Sequence, residues 1–121
     1  MTYETIYKDF LSLFIEDIIL ITSMEKAVLV DQNDGRHVQF GMVVVPYIIY
    51  LVNIKENCKL SKILGFIEDM LDTNDVMVCE VVEYTILENL VSENKKILDY
   101  CKKFMKTRTI QSCYEVEKYI L

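Results

Sequence analysis

The thirteen-residue run FGMVVVPYIIYLV, Phe40 to Val52, sets the tightest limit on how this chain folds. Phe40, Val43, Val44, Tyr47, Ile48, Leu51 and Ile54 recur at helical spacing, and Val45, Ile49 and Val52 make the other sides apolar too. A helix that is apolar all round belongs at the centre of a domain. The run is too short to cross a bilayer, which takes about 20 apolar residues. Pro46 has no N–H for the carbonyl of Met42, so it either kinks this helix or starts it.

The segments around that run carry stripes that would cover a central helix. Tyr3, Ile6, Tyr7, Phe10, Leu13, Phe14, Ile18 and Ile21 predict a helix over 3–22, and Leu60, Ile63, Leu64, Ile67, Met70 and Leu71 predict one over 59–72. Asp75 is a suitable cap for a helix running to about Val91. Ser92 is a candidate cap for the next, with Ile97, Cys101 and Phe104 inward. Thr107 or Thr109 would cap a last one, with Ile110, Cys113, Tyr114 and Ile120 inward. Three glycines and one proline suit long helices better than a turn-rich sandwich. The expectation is a single all-α domain over 1–121. It would be a compact antiparallel bundle of about six helices with short loops, with room for stacked helix pairs. The alternative is an α+β fold with a small hairpin around residues 27–45, in which AVLVD and HVQF pair across the DQNDG turn.

Chemistry-bearing motifs are scarce. No glycine-rich phosphate loop, zinc-protease helix or nucleophile elbow is present. The one histidine, His37, lies beside the DQNDG turn and reads as a solvated loop residue. The four cysteines, Cys58, Cys79, Cys101 and Cys113, have no ligand spacing, so no metal and no cofactor is expected. Cys79, Cys101 and Cys113 fall on apolar faces and read as buried reduced thiols of a cytoplasmic protein. No secretory signal pattern opens the chain. Paired carboxylates at Glu68–Asp69, Asp72–Asp75 and Glu80–Glu83 read as solvated helix faces, so the chain is expected not to be an enzyme.

Charge is the informative feature. The formal net charge of −6 disfavours nucleic acid and anionic membrane surfaces and favours basic protein partners. Between Lys62 and Lys95 there is no basic residue, while Glu68, Asp69, Asp72, Asp75, Glu80, Glu83, Glu88 and Glu93 fall in that window. A basic stretch follows, from Lys95 to Arg108. The two blocks either attract each other within the fold or leave the acidic one as a docking surface. On that second reading Glu68, Asp69, Asp72, Asp75, Glu80, Tyr84 and Glu88 meet the partner, with Tyr84 as an aromatic anchor amid carboxylates. Glu83 instead falls within the apolar face formed by Cys79, Val82, Ile86, Leu87 and Leu90. It is expected to be a buried, hydrogen-bonded tie between helices, with Tyr47, Tyr50, Tyr114, a lysine or a helix N-terminus as donor.

The segments FGMVVVPYIIYL, KLSKILGFIEDML, VCEVVEYTILENL, ILDYCKKFM and TIQSCYEVEKYI together resemble a group of small helical bacterial proteins. The shared pattern covers roughly 37–121, and Glu68, Glu83 and Glu88 are its acidic positions. That group resembles the immunity proteins of toxin–immunity systems of the contact-dependent growth inhibition type. The resemblance implies a cytoplasmic protein that binds and neutralises a cognate toxin domain. A helical adaptor with a non-toxin partner is the alternative.

Overall fold

A computed structural model describes residues 1–120. It contains seven helices and, among the described residues, no strand. They are α1 (Ile6–Leu13), α2 (Ile18–Val28), α3 (36–53), α4 (Asn57–Asp72), α5 (76–93), α6 (Lys95–Lys102) and α7 (Thr107–Ile120). The all-α expectation holds, with one helix more than predicted, because the first stripe is broken. Phe14 leaves helical geometry, and a single 3-10 turn, Ile15–Asp17, separates α1 from α2.

The break has a tertiary cause. Asp17 accepts a hydrogen bond from the Tyr47 hydroxyl and both its oxygens receive Lys59 Nζ, at 2.9 and 3.0 Å. Burial alone would raise the Asp17 pKa. The bonds from Tyr47 and Lys59 outweigh it and hold the carboxyl below its ordinary value. One carboxylate thus joins the start of α2 to α3 and α4.

The hairpin alternative does not form. Helix α2 continues to Val28 and ends at Leu29 in the left-handed region (φ 59°), whose N–H returns to Glu25 and Lys26 carbonyls. The DQNDG segment then folds on itself. Asp31 Oδ1 accepts from Asn33 N and Asp34 Oδ2 from Asp31 N. Buried Gln39 donates to the Asp31 carbonyl and accepts from Arg36, which also donates to the Asp34 carbonyl. The bonds to Asp31 N, Asn33 N and the Asp31 and Asp34 carbonyls occupy backbone groups that pairing strands would need.

Helix α3 is the centre, as its composition requires. It packs against α1, α2, α4, α5 and α6. Phe40, Val43, Tyr47, Ile48 and Leu51 are fully buried, and Tyr47 meets the rings of Phe10 and Phe14 edge-on at 5.8 and 5.4 Å. Its winding is not uniform. Between Arg36–Gln39 and Val45–Asn53, residues Phe40–Val44 form a π-helix, in which Val45 N–H reaches back to the Phe40 carbonyl. Pro46 follows at once, so the wide turn and the missing donor fall together. Helix α5 repeats the device, with π residues Val81–Leu87 between Val76–Glu80 and Glu88–Glu93.

The two π segments pack on each other. A Cβ at Gly41 would lie 3.2 Å from Thr85 Cγ2, so this glycine sets how closely the rods approach. Thr85 Oγ1 is the hydrogen-bond partner of His37 Nδ1, and its carbonyl accepts from Asn89 at 2.7 Å. His37 therefore lies on a helix and holds α3 to α5, rather than standing free in a loop.

The caps follow the sequence in part. Asp75 Oδ1 receives Met77 N and Val78 N at 2.9 and 3.2 Å, as expected. Ser92 lies inside α5, and Asn94 caps α6 instead, receiving Lys96 N and Ile97 N.

Candidate functional site

The expected docking residues divide into those the fold uses and those it leaves outside. Glu68 belongs to the first set. Its Oε1 accepts from Thr109 N and Thr109 Oγ1, both at 2.9 Å, and its Oε2 from Arg108 N at 3.1 Å. It supplies from α4 the cap that neither Thr107 nor Thr109 provides for α7. Burial pushes its pKa up, but these bonds and the Arg108 charge prevail and lower it. Asp72 pairs with Arg108 Nε at 3.2 Å, and Asp75 is committed to its own helix. The acidic centre and the basic stretch therefore meet on the surface of the fold at Arg108, which also donates to the Leu71 carbonyl and Asn74 Oδ1.

Asp69, Tyr84 and Glu88 are exposed, Glu80 is half-exposed, and none has a hydrogen-bond or ion-pair partner among the described residues. Glu80, Tyr84 and Glu88 recur every four residues along α5. The wide π turn keeps that spacing on one side of the rod. Tyr84 is 60 % exposed although Val81, Val82, Thr85, Ile86 and Leu87 around it are buried.

Glu83 is not the expected tie. It is half-buried, makes no hydrogen bond or ion pair among the described residues, and is not sealed from solvent, since no buried side-chain oxygen there lacks a partner. The candidate donors lie elsewhere: Tyr47 is taken by Asp17, and Tyr114 is exposed under Lys102 Nζ, 5.0 Å from its ring centre. Burial, then the charges of Glu115 and Glu80, raise the Glu83 pKa. Among the carboxylates that do tie helices, Asp17 and Glu68 each accept several hydrogen bonds from neighbouring elements. Sequence reasoning missed Asp17, which lies on an otherwise apolar stripe, the same signal that singled out Glu83.

Beside Tyr84 and Glu88 lies a depression of about 420 Å³ completed by Val116, Tyr119 and Ile120 of α7. Residues early in α7 flank Cys79 and Glu83, while its end flanks Tyr84 and Glu88, so α5 and α7 run the same way along a shared seam. Tyr119 is 93 % exposed. The α7 side of this seam was not expected. Tyr114 and Ile120, predicted inward, are exposed, and Val116 is the buried residue of that turn.

Cys101 and Cys113 are buried, Cys79 is half-buried and Cys58 exposed, all as free thiols. Among the described residues, no group of three or more His, Cys, Asp or Glu side chains is placed to hold a metal ion, and no helix is long and apolar enough to cross a membrane.

Residues 13–120 match the family described as "Domain of unknown function (DUF7674)". The chain belongs to that family. No curated protein and no solved structure matches it. The DUF7674 match takes in α2 to α7 and thus both π-containing rods and the α5–α7 seam, and leaves out nearly all of α1.

Proposed function

We propose that this DUF7674 protein is an immunity protein: it binds a cognate bacterial toxin domain in the cytoplasm and neutralises it by covering its active cleft. The observation that carries the reading is Tyr84, held outward between Glu80 and Glu88 on a rod whose other side is core. An exposed aromatic flanked by carboxylates matches the anchor-and-rim composition of protein interfaces. A net charge of −6 would speed its encounter with a basic cleft, such as that of a nuclease. Four free thiols suit a reducing compartment.

The neighbouring gene tests this. Its product, purified as the isolated domain, should arrest growth when expressed alone. Co-expression of this chain should restore growth, with nanomolar or tighter binding and association that slows as salt rises. A neighbour that is harmless when expressed alone, yet binds the chain tightly, would favour the adaptor reading. A toxic neighbour that neither binds the chain nor is silenced by it would end the immunity reading.

A further inference from the structure

We infer that the seam between α5 and α7 receives a basic, amphipathic segment of the partner protein. This rests on reading α5 as a binding face, and it adds the α7 side and the chemistry of the occupant.

The first observation is continuity. Three depressions follow one another along α7. One of about 390 Å³ is walled by Cys79, Glu83, Arg108, Gln111 and Glu115, among others. The next, about 360 Å³, is walled by Glu115, Lys118 and Tyr119. The third is the Tyr84–Tyr119 depression of about 420 Å³. Glu115 is common to the first two and Tyr119 to the last two, so the three adjoin as one furrow along α7, walled by α5 as well at both ends and, among the described residues, by α7 alone in the middle. It follows α7 from Arg108 to Ile120, roughly 18 Å at the α-helical rise. That length fits a few turns of helix or about six extended residues.

The second observation is charge. The furrow holds Glu83, Glu88 and Glu115. Of its cations, Arg108 is already bound to Asp72, Asn74 and the Leu71 carbonyl, which leaves Lys118. The raised pKa of Glu83 has burial and Glu115 as its first two causes, as in a pair of carboxylates short of a counter-charge.

The third is surface type. Tyr84, Val116, Tyr119 and Ile120 offer ring faces and aliphatic surface between the acids. Lysine and arginine stems lie along such surface while their heads reach carboxylates or sit over tyrosine rings. A segment alternating basic and apolar residues satisfies both features, and an acidic segment of the same shape is repelled.

Two synthetic peptides of fifteen residues test this against the full chain. They share leucine positions, and one carries Lys and Arg where the other carries Glu and Asp. The basic peptide should bind at least tenfold more tightly, and its amide shift changes in the ¹⁵N-labelled chain should centre on Tyr84, Glu88, Glu115 and Tyr119. Tyr119→Ala and Glu115→Lys should each weaken it at least fivefold without lowering Tm, since both side chains are exposed and a lysine at 115 relieves the repulsion on Glu83. Glu16→Lys, the same charge change outside the furrow, should not reproduce that loss of affinity. Equal binding of the two peptides, shift changes elsewhere, or a self-associated chain that Tyr119→Ala returns to monomer would overturn the proposal. If the toxin domain is neutralised but its affinity ignores Tyr119→Ala and Glu115→Lys, the furrow is wrong and the immunity reading stands. If the basic peptide seats in the furrow and no toxin is neutralised, the reverse holds.

Discussion

Glu68 and Glu83 lie on successive helices, face the same last helix, and have opposite electrostatic situations. Glu68 caps α7 and its pKa is lowered, so its contribution is present above the unfolded value of about 4 and is lost as pH falls through the lower folded value. Glu68→Gln removes the charge and at least one accepted bond. It should cost about 1 kcal/mol at pH 7 by urea denaturation, and the difference from the parent should close on acidification. Glu83 has a raised pKa, so the fold favours its protonated form. Its penalty is absent below about pH 4 and complete once pH exceeds the raised folded value. Glu83→Gln should therefore raise Tm at pH 7, and the gain should disappear as pH falls below about 4. Helical phase alone pointed to Glu83 as the inward carboxylate, and the phase was sound as far as partial burial. It carried no information on donors, which come from residues distant in sequence, as Arg108 and Thr109 do for Glu68.

Elements were legible where a single stripe decides them. The 59–72 helix and the Asp75 cap follow the 3.6-residue pattern closely. The break at Phe14 was not legible, because the pattern runs through it and the Tyr47 and Lys59 contacts that draw Asp17 inward are tertiary. Nor were the π segments, since a wide turn changes winding without changing which residues are apolar. Helix ends also hid their chemistry. Leu29, Lys55 and Asn74 all take positive φ where glycine is usual, at 59°, 56° and 55°. Leu29 is 90 % exposed, so its side chain adds little packing to offset that backbone. Leu29→Gly should stabilise the fold by roughly 0.5–1 kcal/mol in chemical denaturation, the relief of the left-handed conformation reduced by the greater freedom of unfolded glycine.

The whole molecule is one core wrapped around α3, and its thiols report on that core. Cys101 and Cys113 are buried, with pKa values pushed up by burial to about 12 and about 11. Reagents that need thiolate should label Cys58 first in the native chain, whereas Cys101 and Cys113 should react only at the rate of opening. Mass spectrometry of a labelling time course reads this directly. Fast labelling of Cys113 would show that α7 detaches independently, which would also bear on a seam built from that helix. The π segments have a further consequence at this scale. Deleting one residue from a regular α-helix turns everything beyond it by about 100° and scrambles the buried face. A π turn already holds a residue more than the α repeat needs, so a deletion there returns the winding to α and leaves both flanking faces where they were. The lengths of α3 and α5 are thus negotiable at the place where they cross, and sequences one residue shorter in either rod can keep the same architecture.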